Sequence, residues 1–449
     1  MEWLYTNVQF TNVGYPLGLF YVVAVVGLAL LFVRPYWAFL FAVFCLAARN
    51  YHAAVFTRTP FAGPYLNLND LLEWIAIFAM LMESFRYRRK MWTPGILLLL
   101  FGLVIIGDLQ SLFKYGFAEN VLRRIWSTAI FPIMFLVAAN MVFDEGRARR
   151  FYWVLFAGAV LAAIQHMFFA RCQSTHVFGS YMGIRTISYL YSGGIYLLVA
   201  AFYWPLKETK GFKLAGYYIA MGLIFLSFLF SLTRTVWVST VLTLLVIPFV
   251  IRRSLFLSKT LAKLAAYTAV VLLVATVLFP KISLPKLVHE RVESFATEEA
   301  FSESYMTREE GFRTELNIWL RGSIVLGTGA SLPLRYVGAD PFETGALGHV
   351  GLATYLSHYG IAGVLIYLIV LPLVSIKVSK ICYLSYFPSY KSRVSLVTLA
   401  CILMGVLACL SSEHYISATS HVPGLIYGAV WGIWSGPKEK QVKKEVKYR

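Results

Sequence analysis

The sequence contains few charged residues and very few acidic ones. Only 14% of its 449 residues are charged, whereas about a quarter are charged in a typical soluble domain. Asp and Glu together number 22 against 40 Lys and Arg, and no acid occurs between Glu208 and Glu290. Hydrophobic residues make up 59% of the chain. This composition excludes an ordinary soluble globular domain.

Cysteine and clustered acids are also scarce. The five cysteines have no metal-binding spacing, and most lie in or beside apolar runs, where buried free thiols are the usual state: Cys45, Cys172, Cys382, Cys401 and Cys409. A disulfide framework is therefore not expected. No D-x-D-type acidic cluster occurs, so the sequence implies no divalent metal and no other cofactor. Internal repeats and low-complexity segments are absent as well.

Long apolar runs dominate the sequence. "YPLGLFYVVAVVGLALLFV" and "LAAYTAVVLLVATVLFP" approach the roughly 20 residues that cross a bilayer. We predict an all-α, polytopic membrane protein with 12 or 13 transmembrane helices. Position 2 is glutamate and Arg34 is the first basic residue, so we expect a retained first helix rather than a cleaved signal peptide. The predicted spans are 15–33, 36–48, 66–84, 92–108, 126–143, 151–170, 187–204, 214–230, 235–251, 264–280, 350–374, 394–411 and 421–434.

The net charge of +18 is concentrated in short segments between the spans. These are "RYRRK" (86–90), "RARR" (147–150), "KETKGFK" (207–213), "RRSLFLSK" (252–259) and the C-terminal tail. The positive-inside rule assigns such loops to the cytoplasm, which accounts for the charge without a nucleic-acid partner. We therefore divide the chain into helices with short loops (1–280), one large outward-facing loop (281–348), and helices with a basic cytoplasmic tail (349–449).

Three features fall on the outward side of this topology. Arg234 stands at the outer junction of two spans, where insertion of an arginine costs roughly 2.5–3.5 kcal/mol and function is the usual reason to accept that cost. The large loop holds a predicted amphipathic helix with Phe312, Leu316 and Trp319 at helical spacing, near Arg308 and Arg313. His349 lies at the outer mouth of the next span. Each feature alone also fits a structural role: a snorkelling arginine, a charged surface helix, or a helix-start histidine.

Together the three features suggest phosphate chemistry. The planar fork of arginine suits bidentate binding of phosphate oxygens. Imidazole, with a pKa near 6.5, suits a general base at neutral pH. Without an acidic metal site, neutralisation of phosphate charge would fall to the arginines.

Three motifs resemble those of the O-antigen ligase and polysaccharide polymerase superfamily of bacterial envelope proteins. "SLTRTVW" is similar to its arginine-then-tryptophan motif at the start of a span. "TREEGFRTELNIWLRGSIVLGTG" resembles its loop arginine followed by an amphipathic helix and a G-x-G turn. "HVGLATYLSHYGIAG" is similar to its histidine motif, although Val350 replaces the usual asparagine. Spacing favours Arg308 as the loop arginine, and Arg313 remains the alternative.

The resemblance implies a GT-C-like, metal-independent, inverting glycosyltransferase of the bacterial inner membrane, with its site facing the periplasm. The donor would be an undecaprenyl-diphosphate-linked glycan bound by Arg234 and Arg308 or Arg313, and His349 would be the catalytic base. An O-antigen ligase acting on lipid A-core is our first expectation. A polymerase acting on a lipid-linked glycan is the alternative. A transporter of an anionic solute is the alternative from another class.

Overall fold

A computed structural model describes residues 15–48, 68–87, 90–115, 119–173, 192–202, 211–230, 234–251, 312–329, 351–386, 389–411 and 421–435. Of these residues, 91% are helical, and the described part contains no β-strand. The prediction of an all-α chain is confirmed. The GT-C-like arrangement, the number of crossings and the three-part division of the chain stay predictions.

The first half of the described chain forms seven helices: α1 (Tyr15–Val33), α2 (Pro35–Ala48), α3 (Leu68–Arg86), α4 (Gly95–Tyr115), α5 (Glu119–Met141), α6 (Glu145–Gln173) and α7 (Ser192–Phe202). Only Arg34 separates α1 from α2, which confirms two helices at the "RPYW" junction. Proline suits the first position of α2 because its missing N–H has no helical partner there. The Arg86 side chain donates to the Val33 carbonyl at 3.0 Å, which satisfies one of the last carbonyls of α1.

The second half forms α8 (Phe212–Phe230), α9 (Arg234–Ile251), α10 (312–321), α11 (Gly351–Gly363), a π-helical segment (Val364–Val370), α12 (Leu371–Tyr386), α13 (Tyr390–Ser411) and α14 (His421–Ser435). Each predicted span overlaps one of these helices, with two exceptions. The span 350–374 covers α11, the π-helical segment and the start of α12, and 264–280 lies outside the described residues. Several helices extend past the apolar runs that predicted them. The carboxylate of Asp144 accepts from the Arg147 backbone N–H at 2.8 Å, so an N-cap starts α6 before its apolar part begins.

Three described helical stretches are long and apolar enough to cross a bilayer: Gly95–Phe113, Tyr355–Ser385 and Tyr390–Cys409. The second of these runs through α11, the π-helical segment and α12. It presents exposed apolar residues such as Leu365 and Leu373, which suit contact with lipid. Other described helices are apolar but shorter. The chain therefore has the composition and helix lengths of a membrane protein.

Arg147 joins three helices at one end of the bundle. Its guanidinium pairs with the buried Glu83 of α3, and it lies 4.5 Å from the centre of the Tyr36 ring of α2. The Tyr36 hydroxyl in turn donates to the Arg147 carbonyl at 2.7 Å. Arg86, the first residue of one basic segment, ends the helix that carries Glu83, and Arg147 is the first residue of another. These two positions, which the charge pattern assigns to one side, therefore lie at the same end.

Close packing between α14 and α5 forms the centre of the bundle. Gly424, Gly428 and Gly432 recur every four residues and face α5. A Cβ at Gly424 would lie 2.6 Å from the Phe131 carbonyl oxygen, so only glycine allows this approach. Small residues at such spacing let helix backbones approach closely. Because the hydrophobic effect does not drive helices together within a membrane, van der Waals packing stabilises the pair.

The large loop contacts the bundle at the end opposite the Arg147 cluster. Asn140, near the Arg147 cluster, bonds the backbone N–H and carbonyl of Trp92 at 2.8 and 2.9 Å, which fixes the start of α4. Residues Gly107 to Ser111 of α4 lie roughly 20 Å further along the helix axis, at about 1.5 Å per residue. Gly329 of the loop packs there against the Gly107 carbonyl.

Candidate active site

Arg234 is the first residue of α9, and α8 ends at Phe230. The indole N–H of Trp237 on α9 donates to the Phe228 carbonyl of α8 at 3.1 Å and joins the two helices. Arg234 therefore stands between two consecutive helices as predicted, and its place on the outer side of the membrane stays a prediction. Its side chain lies outside the described part of the structure, so its role in binding a diphosphate stays a prediction.

The predicted helix of the large loop is present as α10, residues 312–321. Its apolar stripe differs from the expected one, because Phe312 is 36% exposed and the most buried residue of α10 is Glu315, 4% exposed. Leu316 and Trp319 are half-buried, as a helix face against the bundle requires. Phe312 therefore lies outside the packed face. A carboxylate occupies the centre of the packed face.

A tight hairpin, residues 322–329, follows α10. Ser323 and Gly327 exchange two backbone hydrogen bonds, at 3.1 and 2.6 Å. The Ser323 hydroxyl accepts from the Leu326 N–H at 3.1 Å, and the Trp319 indole donates to the Ile324 carbonyl at 2.9 Å. These bonds give the hairpin a defined shape and attach it to the helix before it.

The hairpin inserts into a break in α11. Gly360 has φ 61° and ψ −158°, which interrupts the helix. In an unbroken helix Ile361 and Ala362 would donate to the carbonyls of Ser357 and His358, four residues earlier. The break leaves these two donors and two acceptors without their helical partners.

The hairpin supplies a partner to each of the four groups. Ile361 and Ala362 donate to the carbonyls of Ile324 and Val325 at 3.1 and 3.0 Å. The N–H groups of Thr328 and Gly329 donate to the carbonyls of Ser357 and His358 at 2.8 and 3.0 Å. We call this arrangement, residues 324–329 bonded to residues 357–362, the loop clasp. Because buried backbone groups must be paired, the clasp and the break depend on each other.

Glycine is required where the clasp meets the helices. Gly327 has φ 71°, and a Cβ there would lie 2.6 Å from the His358 carbonyl carbon. Gly329 has φ 91° and packs against α4, where a Cβ would lie 2.7 Å from the Gly107 carbonyl and would also strike the Ser111 hydroxyl. The G-x-G turn of the sequence therefore joins the loop to two membrane helices at once.

Glu315 adds a side-chain bond to the clasp. The hydroxyl of Ser357, fully buried on α11, donates to the Glu315 carboxylate. The carbonyl of the same serine accepts both the backbone N–H and the hydroxyl of Thr328, each at 2.8 Å. Ser357 is thus bonded both to α10, through Glu315, and to the hairpin, through Thr328. Asp108 of α4, one residue after Gly107, is a second buried acid near this end of the bundle.

A group of buried tyrosines lies beside the break. The rings of Tyr355 and Tyr359 lie 5.4 and 5.7 Å from that of Tyr367, measured between centroids. Tyr367 belongs to the π-helical segment, which shifts the register of the helix after the break. Single π-helical turns are frequent at functional sites, and here the segment follows a glycine break.

The remaining predicted site residues are divided between described and undescribed parts of the chain. Arg313 is exposed on α10, two residues before Glu315. Arg308 and His349 lie outside the described residues, four residues before α10 and two residues before α11, and their assignments stay predictions. His358, half-buried beside the break, uses its carbonyl in the clasp.

Sequence reasoning missed Glu315 and Ser357. Glu315 lies within "RTEL" (313–316). Helical periodicity places it beside Leu316 and one turn before Trp319, on the face that packs. Its burial depends on a serine more than forty residues later, and no local pattern reports that pairing.

Known protein-family models and curated proteins give no match to this chain.

Proposed function

We propose that the chain is a membrane glycosyltransferase that moves a glycan from undecaprenyl diphosphate to an acceptor, with O-antigen ligation to lipid A-core as the specific activity. The reaction would be metal-independent and inverting, and the site would face the periplasm of a bacterial inner membrane. Because the donor is a lipid, the protein would bind it from the surrounding membrane.

One observation carries the proposal. The second and third motifs, "TREEGFRTELNIWLRGSIVLGTG" and "HVGLATYLSHYGIAG", are bonded to each other through the loop clasp and the Ser357–Glu315 hydrogen bond. The resemblance assigns the loop arginine to the first of these motifs and the catalytic histidine to the other. Contact between the motifs is what a shared site requires, and two unrelated surface features would not need it.

The start of α9 supports an anionic ligand. No acidic residue lies in the first turn of α9, and none occurs between Glu208 and Glu290. The N-terminal end of a helix carries a partial positive charge and unpaired N–H groups, which favour phosphate and disfavour a cation such as Arg234. A bound diphosphate would satisfy both the helix end and the guanidinium.

The chemistry follows from the residue types. Arg234 and Arg308 or Arg313 would hold the diphosphate and stabilise the charge that develops on it. His349 would accept the proton of an acceptor hydroxyl as its oxygen bonds to the anomeric carbon. The bond from that carbon to the phosphate oxygen breaks on the opposite face, and undecaprenyl diphosphate leaves. Attack from the opposite face inverts the anomeric centre.

The broken helix argues against the transporter alternative. Transporters use the free carbonyls and helix ends of broken membrane helices to bind their cargo. At the break in α11 the carbonyls of residues 357 and 358 and the N–H groups of residues 361 and 362 are bonded to the hairpin. These four groups are therefore not available as ligands for a solute.

The test is transfer by the purified protein in nanodiscs, with a radiolabelled undecaprenyl-diphosphate-linked glycan as donor. Lipid A-core and unlabelled lipid-linked glycan are supplied as acceptors in separate reactions. We expect label on lipid A-core. Lengthened lipid-linked glycan would replace the ligase assignment with a polymerase. Binding of the donor without transfer to either acceptor would exclude both, and absence of donor binding would exclude a glycosyltransferase of this class.

A further inference from the structure

Glu315 is unusual for a loop residue, because it is an acid and is also the most buried side chain of its helix. Burying a carboxylate is unfavourable unless it is paired or hydrogen-bonded. A surface helix gains nothing from such a residue, since leucine would fill the same place without that penalty. The partner of Glu315 must therefore explain its presence.

That partner, Ser357, lies at the centre of the clasp. Its hydroxyl donates to Glu315 and its carbonyl accepts twice from Thr328, so one residue of α11 is bonded to both α10 and the hairpin. The backbone bonds of the clasp attach residues 324–329, and the Trp319 indole bonds α10 to the hairpin. The Glu315 bond is the side-chain hydrogen bond that ties α10 directly to α11.

The rotation of α10 determines where Arg313 points. Residues two apart on a helix are about 200° apart around its axis, at 3.6 residues per turn. With Glu315 directed at Ser357, Arg313 is directed to the exposed side, as observed. Arg308 precedes α10 by four residues in the sequence, so a change in the orientation of α10 would displace either candidate arginine relative to α11.

We infer that Glu315 is a positioning residue, which through Ser357 sets the orientation of the arginine-bearing helix α10 on α11. The inference rests on the proposed function, because it assigns Glu315 to the alignment of the donor diphosphate and to no step of the chemistry. A displacement of about 1 Å can lower the rate of an oriented reaction about a hundredfold. The carboxylate's role is to accept a hydrogen bond, which a carboxamide oxygen can also do.

The test combines three single variants, one double variant and one control variant with two measurements. Glu315→Ala and Ser357→Ala remove the bond, whereas Glu315→Gln keeps an acceptor for the serine hydroxyl. Ser395→Ala is the matched control, because Ser395 is also fully buried and its hydroxyl donates to the Lys391 carbonyl at 2.9 Å near the other end of the bundle. Hydrogen exchange of residues 312–329 reports the attachment of α10, and transfer kinetics report alignment.

We expect Glu315→Ala and Ser357→Ala to increase exchange in residues 312–329 at least tenfold and to lower kcat about a hundredfold. KM for the acceptor should change little, Glu315→Gln should stay within about fivefold of wild type, and the double alanine variant should be no worse than either single variant. Ser395→Ala should leave both measurements at wild-type values.

Three results would overturn the inference. Unchanged exchange in Glu315→Ala would show that the carboxylate does not hold α10. Faster exchange with unchanged kcat would show that the orientation of α10 does not matter to transfer. Loss of transfer in Glu315→Gln with normal exchange would make Glu315 a participant in the chemistry. A wild-type protein without transfer would refute the proposed function, and the exchange measurement would still decide whether Glu315 orients α10.

Discussion

Gly327 and Gly360 meet backbone to backbone, so that a Cβ on Gly327 would lie 2.7 Å from the Gly360 nitrogen. Both residues have positive φ, 71° and 61°. One belongs to the large loop and the other to a helix long enough to cross a membrane. A loop and a membrane helix are thereby built as one unit, and neither can keep its conformation without the other.

The first prediction concerns these two glycines. Alanine at either position meets both a strained backbone, at roughly 1–2 kcal/mol, and a steric clash, at roughly 1–3 kcal/mol. We expect Gly327→Ala and Gly360→Ala to lower the melting temperature of the detergent-solubilised protein by several degrees. Tryptophan fluorescence during heating measures this.

Two other glycines provide graded controls. Gly211 has φ 64° with nothing within 4 Å of its Cβ position, so Gly211→Ala tests backbone strain alone. Gly102, in the middle of α4, has open space and should tolerate alanine without loss. Equal melting temperatures for Gly360→Ala and Gly211→Ala would contradict insertion of the hairpin into the break.

The second prediction concerns Arg234. Arg234→Ala should abolish glycan transfer while expression and membrane insertion stay normal. Arg234→Lys should restore little activity, because a single ammonium group cannot reproduce the two parallel hydrogen bonds of guanidinium. Arg86→Ala is the control, since Arg86 is also an arginine at a helix end and its guanidinium is bonded to the Val33 carbonyl. Full transfer by Arg234→Ala would exclude Arg234 from the site.

The third prediction separates the two loop arginines. Arg308→Ala should lower donor binding and transfer together, as loss of a phosphate ligand requires, and Arg313→Ala should have a weaker effect. Titration of each purified variant with undecaprenyl diphosphate measures binding. The opposite order of the two effects would assign the phosphate to Arg313. Arg321, exposed at the end of α10, is the matched control and should be replaceable by alanine without loss.

The fourth prediction concerns His349. His349→Ala should lower kcat by about 10²–10⁴-fold, the usual contribution of a general base, with donor binding unchanged. His358→Ala serves as the comparison, because His358 contributes its backbone carbonyl to the clasp and alanine keeps that group. Equal losses in both variants would show that the histidine motif acts through folding rather than through proton transfer.

The fifth prediction concerns metals. Transfer should continue at the full rate in excess EDTA, because arginine side chains are assigned the charge neutralisation that a divalent ion would otherwise supply. Restoration of a lost activity by added Mg²⁺ or Mn²⁺ would contradict this assignment.

Helix positions could be predicted from the sequence, whereas the break in α11 could not. Apolar length specifies a membrane helix almost by itself, because the bilayer leaves every backbone group to be satisfied within the segment. Helix ends were less accurate, since α12 runs on through Lys377 and Lys380 after the apolar stretch ends. The break at Gly360 depends on backbone bonds from residues 324–329, and hydropathy carries no information about such distant partners.

The candidate site could also be predicted only in part: the placement of its motifs could be, and the burial of Glu315 could not. Charge distribution placed Arg234 at a helix junction and placed the loop motif and the histidine motif on one side, and the clasp brings those two motifs into contact. Glu315 was not singled out from the sequence, because an acid on a surface helix is usually solvated. Its burial follows from Ser357, whose hydroxyl points at α10 only because α11 carries the clasp.

The packing of α14 on α5 has a consequence for biosynthesis. The groove of α5 that receives Gly424, Gly428 and Gly432 is synthesised long before the helix that fills it. Between those moments the exposed backbone of α5 must be covered by lipid or by an insertion chaperone. The pair can therefore form only after α14 has left the ribosome, and a nascent chain that has not yet reached α14 would be a natural target for membrane quality-control proteases.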